Sequence, residues 1–164
     1  MTAVPQFDDL SDVYEAMIDW PSRLAHEEPF YRRLFAGIEA RRVLDAACGT
    51  GRHAAMFHGW GLRVEGADLS PAMIARAEAE FGRRADLQWV VRGFSDPIPP
   101  GEPFDAVVCV GNSLALAPDM DAVKEALDRM LGALRPGGLL VVQVLNLWRL
   151  ADGPPPEAVG LRFG

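Results

Sequence analysis

Short apolar runs alternate along most of the chain with longer stretches in which apolar residues recur every three or four positions. The runs rich in Val and Leu predict β-strands over residues 42–46, 62–67, 87–92, 104–110 and 139–145. Most of these runs have little polar alternation, as is typical of strands covered by helices on both faces. The run 62–67, with Arg63 and Glu65, has the pattern most like that of an edge strand. Strands alternating with helices predict an α/β fold with a parallel sheet.

The periodic stretches predict helices over 9–18, 22–40 and 71–81, and from 119 or 121 to the segment Arg-Pro-Gly-Gly at 135–138. The clearest start is Ser70-Pro71, because Ser accepts from unpaired amides of the first turn and Pro fits the first helical position. Gly82 is a matching stop signal. Helices within 1–40, the second interrupted by Pro29, are expected to form an N-terminal cap on a core spanning 41–150. Residues 151–164 are expected to be an extended tail.

Composition narrows the range of functions. A chain of 164 residues is long enough for one domain with a sizeable core. Its net charge of −7 argues against binding to nucleic acid or anionic membranes and favours small-molecule chemistry. No apolar run approaches the roughly 20 residues of a membrane span, and a cytoplasmic location is expected.

No metal site is predicted. Cys48 and Cys109 lie in apolar stretches and are expected to be buried, reduced thiols. His53 and His58 are five positions apart, whereas two ligands on one helical face need a spacing of three or four. We expect these histidines to have structural roles.

The segment 43–51, Val-Leu-Asp-Ala-Ala-Cys-Gly-Thr-Gly, predicts a buried strand that enters a glycine turn and then a helix from about Arg52. Glycines allow a ligand to approach the backbone closely. Asp68 follows Gly51 by 17 residues and ends the next strand, near the spacing of about 20 for an acidic residue that binds a ribose diol. A nucleoside-containing cofactor is therefore predicted.

Two kinds of nucleoside cofactor compete for this site. A nicotinamide dinucleotide would rest its pyrophosphate on the helix N-terminus. Asp45, placed ahead of the glycines, would repel a pyrophosphate but would pair with a ligand ammonium group. A nucleoside-containing cofactor that carries an ammonium group is therefore favoured over a dinucleotide.

The sequence Asp-Ala-Ala-Cys-Gly-Thr-Gly at 45–51 resembles motif I of the class I methyltransferases that use S-adenosylmethionine. The similarity extends over about 13–150 and includes the Arg-Pro-Gly-Gly turn. It implies a Rossmann-like, doubly wound, mainly parallel sheet of about five strands, with 1–150 forming the cofactor-binding domain. The resemblance implies that the methionine part and the sulfonium are lined by Asp45, Ala47, Gly49 and Gly51. It also implies that Asp68 binds the ribose hydroxyls and that Leu69 packs near the adenine.

Val-Gly-Asn-Ser at 110–113, together with Trp-Pro-Ser-Arg at 20–23, resembles the glycine N-methyltransferase branch most. The resemblance implies that Arg23 pairs with the cofactor carboxylate and that the Val110 carbonyl meets the methionine amino group. Asn112 would face the methyl acceptor, as the catalytic, acceptor-positioning residue. A guanidinium is chemically suited to a fixed carboxylate.

The chain departs from the family pattern in two places. Many relatives have an acidic or amide residue after the third strand for the adenine amino group, whereas this chain has Gly-Phe-Ser-Asp at 93–96. Here Phe94 would stack on the ring, and Ser95 or Asp96 would supply the polar contact. The arginine that grips the substrate carboxylate in glycine N-methyltransferases aligns with Leu145, which argues against glycine as the acceptor.

The expected reaction is methyl transfer from S-adenosylmethionine to a small-molecule amine or hydroxyl. The alternative is a truncated or non-catalytic module that binds S-adenosylmethionine or S-adenosylhomocysteine without turnover. It arises because relatives add an antiparallel hairpin after the fifth strand, whereas few residues follow Leu145, Pro154–Pro156 among them. Without a hairpin the fifth strand would be an open edge, for which we expect a homodimer.

Overall fold

The computed structural model describes residues 18–145. In chain order the elements are α1 (Trp20–Gly37), β1 (Arg42–Ala46), α2 (Arg52–Gly59), β2 (Arg63–Asp68), α3 (Pro71–Phe81), β3 (Leu87–Val91), β4 (Phe104–Cys109), a 3-10 helix (Ser113–Leu116), α4 (Met120–Gly132) and β5 (Leu134–Val142). The predicted tail at 151–164 and all but the last residue of the predicted helix 9–18 lie outside the described residues. Within the described part of the chain, no helix has the length and apolar character needed to cross a bilayer.

The described strands form one sheet in the order β3-β2-β1-β4-β5, and every neighbouring pair is parallel. This is the doubly wound arrangement, in which the chain reverses direction across the sheet between β1 and β4. The predicted Rossmann-like fold is confirmed. All strands end at the same edge of the sheet, and the loops that follow them meet there.

Two apolar layers cover the sheet. The layer on the side of α1, α2 and α3 contains Tyr31, Phe35, Val43, Ala54, Phe57, Val64, Ile74, Ala77, Leu87, Trp89, Ala106, Val108 and Val110. The layer on the side of α4 contains Leu44, Ala46, Ala67, Phe104, Val107, Cys109, Leu114, Ala126 and Met130. Val43 lies in the first layer, whereas Leu44 and Ala46 lie in the second, so both faces of β1 are buried.

The edge-like pattern of the run 62–67 does not make it an edge strand, because β2 pairs with both β1 and β3. Its charged side chains have partners. Arg92 donates to Glu65 at 2.5 Å, and Arg63 pairs with Glu102 at 2.6 Å. Charge in a strand therefore did not mark an edge here.

Helix α1 begins two residues earlier than predicted and continues through Pro29. The Asp19 side chain accepts from the Ser22 amide at 3.1 Å and caps the first turn. Pro29 removes the amide that would have bonded to the carbonyl of Ala25. Both residues are exposed, so water can satisfy that carbonyl.

Strand β5 begins at Leu134 and not at Leu139, and it ends at Val142. Phe104 pairs with Leu134, and Ala106 pairs with Leu139, so the predicted Arg-Pro-Gly-Gly turn is a bulge inside the strand. At Gly138 a Cβ would lie 3.0 Å from the carbonyl oxygen of Asp105. The bulge therefore depends on a close approach of two backbones.

The predicted start signals of α3 and α4 are confirmed. Ser70 Oγ accepts from the Met73 amide at 3.2 Å, and α3 spans the predicted residues. Asp119 caps α4 by accepting from the Ala122 amide at 2.8 Å, which decides between the two predicted starts.

Candidate functional site

The loops after β1, β2, β3 and β4 meet at the carboxyl edge of the sheet, beside the reversal in strand order. Ligands of open α/β sheets bind at this place. These strand ends and loops carry all the predicted site residues except Arg23, namely Asp45, Ala47, Gly49, Gly51, Asp68, Leu69, Phe94, Ser95, Val110 and Asn112.

The glycines of the turn after β1 have different surroundings. A Cβ at Gly49 would have nothing within 4 Å, so this backbone faces open space. A Cβ at Gly51 would lie 2.6 Å from Cη2 of Trp89, so Gly51 is required by packing beneath the turn. Both have positive φ, as does Ala47 at 64°. A non-glycine residue in this region stores strain of about 1–3 kcal/mol, which is often found at functional sites.

Asp68 joins the loops after β1 and β2. One carboxylate oxygen accepts from the Gly49 amide at 2.8 Å, and the other accepts from the Ser70 amide at 2.9 Å. The half-buried, oriented carboxylate therefore suits a ligand diol.

Asp45 is 1% exposed, and neither of its carboxylate oxygens has a hydrogen-bond partner in the described part of the chain. Burial raises the pKa of Asp45 to about 6; His53 opposes the shift and Asp68 adds to it. The Ala54 amide also opposes the shift but lies outside hydrogen-bond geometry. Because an unpaired buried carboxylate is costly, this site fits a cationic ligand.

Val110 and Asn112 lie in the loop that follows β4, at the reversal point. The Val110 carbonyl accepts from Ser113 Oγ at 3.0 Å and keeps a second lone pair. Asn112 has a φ of 69°, and its side-chain oxygen accepts from the Leu145 amide at 3.0 Å. Its NH₂ group makes no hydrogen bond within residues 18–145. Asn112 is thus fixed through its oxygen, with two donors available to a ligand.

The predicted adenine side is formed by Leu69 and the turn after β3. Leu69 is 54% exposed, and Phe94 packs partly into the α4 layer. Asp96 accepts from the Gly93 amide at 2.8 Å and closes this turn. The exposed Ser95 side chain makes no hydrogen bond within the described residues. Ser95 is therefore the better placed of the two predicted polar contacts.

Arg23 lies near the start of α1, half-buried over the Trp20 ring. Its Nε donates to Glu27 at 3.0 Å, and Glu27 also contacts His53 in the first turn of α2. The structure therefore brings Arg23 close to the helix that follows the glycine turn. Sequence reasoning missed Glu27, although its spacing of four from Arg23 on a helix signals such a pair.

The sequence from 43 to 138 matches the profile of a family described as "Methyltransferase domain". This match covers more than half of the chain and includes the loops after β1 to β4. The chain belongs to this methyltransferase domain family. The predicted membership of the class I S-adenosylmethionine-dependent methyltransferases is confirmed.

Relatives of this methyltransferase domain include the glycine/sarcosine N-methyltransferase of Parasynechococcus marenigrum, 36% identical over 155 residues covering 89% of this chain and 52% of the relative. The glycine N-methyltransferase of Rattus norvegicus is 35% identical over 159 residues, covering 88% and 54%. These matches confirm the relation to the glycine N-methyltransferase branch. The chain spans about half the length of the curated relatives it matches.

The fold is similar to that of solved methyltransferases. An amino pentose methyltransferase from Micromonospora echinaspora, with S-adenosylmethionine bound, has a TM-score of 0.69 and 29% identity, covering 81% of this chain and 56% of that one. A sugar N-methyltransferase from a Streptoalloteichus species has a TM-score of 0.64 and 34% identity, covering 73% and 47%.

Proposed function

We propose that this methyltransferase domain transfers the methyl group of S-adenosylmethionine to the amino group of a small molecule. The observation that carries the proposal is the buried Asp45 carboxylate, which lacks a hydrogen-bond partner within residues 18–145 and lies beside a glycine turn open to a ligand. S-adenosylmethionine has an ammonium group, a sulfonium and a carboxylate in its methionine part, which therefore has a net positive charge, and it has a ribose diol. The site residues match both features.

In this proposal, different site residues bind different parts of the cofactor. Asp68 is oriented for the ribose hydroxyls, and Gly49 leaves room for close approach. Asp45 and the Val110 carbonyl meet the positive charge of the amino-acid end, and Arg23 meets its carboxylate. The adenine ring lies against Leu69 and Phe94, with Ser95 as the polar contact. The cofactor supplies an electrophilic methyl group on a sulfonium.

Asn112 orients the acceptor molecule, because its oxygen is held by the Leu145 amide while its NH₂ group makes no hydrogen bond within residues 18–145. Methyl transfer from a sulfonium mainly requires alignment of the reacting atoms and exclusion of water. A neutral amine needs only an outlet for its proton, whereas an oxygen acceptor needs a base. Relatives named as N-methyltransferases also support an amine.

The test is a methyl-transfer assay with labelled S-adenosylmethionine and a panel of small amines, amino sugars among them, and hydroxyl compounds. We expect transfer to at least one amine, and a loss of at least about tenfold in kcat with Asn112→Ala. Cofactor binding without transfer to any acceptor would support the non-catalytic module instead. Transfer only to hydroxyl compounds would contradict the amine assignment.

We also propose that two copies of this polypeptide pair along β5. This strand is an edge of the described sheet, and Val142, Val144 and Leu145 are exposed beside it. Light scattering at increasing protein concentration tests the proposal, and a monomer at all concentrations would contradict it. The cytoplasmic location stays a prediction.

A further inference from the structure

A chain of polar contacts joins α1 to α2 beside the glycine turn. One oxygen of Glu27 accepts from Arg23 Nε at 3.0 Å, and the other accepts from His53 Nε2 at 2.6 Å. The side chains of Arg23, Glu27 and His53 are 20%, 10% and 6% exposed. The Glu27 carboxylate therefore bridges the two helices in a site largely closed to water.

Aromatic rings surround this bridge. Trp20 and Tyr31 meet the His53 ring edge-on, with ring centroids 6.0 and 5.9 Å apart. Burial by itself raises the pKa of Glu27, but the contacts with His53 and Arg23 outweigh it and lower that pKa. Glu27 is therefore charged at neutral pH. Because desolvation offsets much of the attraction in a buried ion pair, stability alone is a weak explanation for this arrangement.

The bridge lies next to the proposed cofactor site. His53 is the second residue of α2, directly after the glycine turn that follows Asp45. Glu27 contacts only the Nε edge of Arg23. The terminal nitrogens of Arg23 make no hydrogen bond within the described residues. One edge of the guanidinium is thus held, and the other is available to a carboxylate.

We propose that Glu27, itself fixed by His53, is a positioning residue that holds Arg23 for the carboxylate of the cofactor. The inference rests on the proposed S-adenosylmethionine site. Without Glu27, Arg23 keeps its charge but gains rotamer freedom, which the ligand must remove on binding. Ordering a flexible side chain on binding lowers the affinity for the ligand, and preorganisation removes that cost.

The test compares two ligands of the Glu27→Gln variant by calorimetry. S-adenosylhomocysteine has the amino-acid carboxylate, whereas 5′-methylthioadenosine has the same nucleoside and a thioether but no carboxylate. We expect affinity for S-adenosylhomocysteine to fall about tenfold and affinity for 5′-methylthioadenosine to stay unchanged. An equal loss for both ligands would indicate a merely structural bridge and overturn the inference. Tighter binding of S-adenosylhomocysteine would also overturn it, because Glu27 would then compete with the ligand.

The same helix offers a matched control. Glu28 pairs with Arg32 at 2.6 Å, also four residues apart, but both side chains are well exposed. Glu28→Gln is expected to leave both affinities unchanged. In an Arg23→Ala background, Glu27→Gln should cause no further loss, and additive losses would overturn the inference.

The failure of this inference is distinguishable from the failure of the proposed function. If the wild-type protein binds S-adenosylhomocysteine and the Glu27→Gln variant binds it equally well, the positioning role is overturned and the cofactor site stands. If the wild-type protein binds neither ligand, the cofactor site is overturned, and the positioning role with it.

Discussion

At the scale of single residues, Asp45 is the clearest departure from what a stable core requires. A carboxylate that is 1% exposed and lacks a hydrogen-bond partner in the described chain destabilises the protein once it ionises. Functional sites often carry such a cost. In the proposed function, the positive charge of the cofactor compensates for it.

Replacing Asp45 by Asn should therefore stabilise the cofactor-free protein at neutral pH. The pKa of Asp45 is raised from 3.8 to about 6, so its ionisation lowers the free energy of unfolding as pH rises from about 4 to above 6. At pH 7.5, the free energy of unfolding measured in urea should be higher for Asp45→Asn than for the wild type by up to about 3 kcal/mol. This figure follows from 1.36 kcal/mol for each unit by which the pKa is raised. At pH 4.5 the difference between variant and wild type should be smaller. The same difference at both pH values would contradict this account.

The two glycines of the turn should respond differently to alanine. Gly51→Ala places a Cβ 2.6 Å from Trp89 at a φ of 82°, and overpacking of this kind costs about 1–3 kcal/mol in unfolding free energy. Gly49→Ala meets no atom within 4 Å, so only the left-handed backbone, about 1–2 kcal/mol, opposes it. Gly49→Ala should instead weaken ligand binding. Thermal unfolding and calorimetric titration of both variants measure the contrast, and equal stability losses with unchanged ligand affinity would contradict it.

At the scale of elements, Asp105 fixes the end of the sheet opposite the site. One oxygen accepts from the Arg41 and Arg42 amides, both at 2.8 Å, and the other accepts from Arg135 Nε. Arg135 also donates to the Ile38 carbonyl after α1 at 2.7 Å. Asp105 thus connects the beginnings of β1, β4 and β5.

Asp105→Ala should lower the free energy of unfolding by about 2–3 kcal/mol, because three donors lose a charged acceptor. The contacts with Arg135 and the two amides outweigh burial and lower the pKa of Asp105. Its contribution is therefore present above the unfolded pKa and is lost as pH falls through the lower folded value. Urea unfolding across pH 3 to 7 checks this. A variant that matches the wild type at pH 7 would contradict it.

The elements also indicate how much the sequence can predict. Local signals sufficed for α3, because Ser70, Pro71 and Gly82 act within one helix. They did not predict that β2 has a neighbour on both sides, since Glu65 meets its partner Arg92 only in the folded sheet. The bulge in β5 was equally hidden, because it depends on the backbone of Asp105 approaching Gly138. The link from Glu27 to His53 joins residues of different helices, which no local pattern indicates.

At the scale of the whole molecule, the described residues form a parallel sheet, and the groups proposed to bind S-adenosylmethionine lie at its carboxyl edge. Asp45 at the end of β1 and Asp68 at the end of β2 lie in the part that matches the family. The chain spans about half the length of its curated relatives, so cofactor binding is the property most directly tied to the described residues.

The most direct test of this account is a calorimetric titration of the purified protein with S-adenosylmethionine at neutral pH, with Asp68→Ala in parallel. The account predicts one site per chain and a loss of at least about tenfold in affinity for the variant, because the ribose loses its charged acceptor. The absence of saturable binding to the folded wild-type protein at millimolar cofactor would contradict it. Equal affinities of the two proteins would contradict the placement of the site.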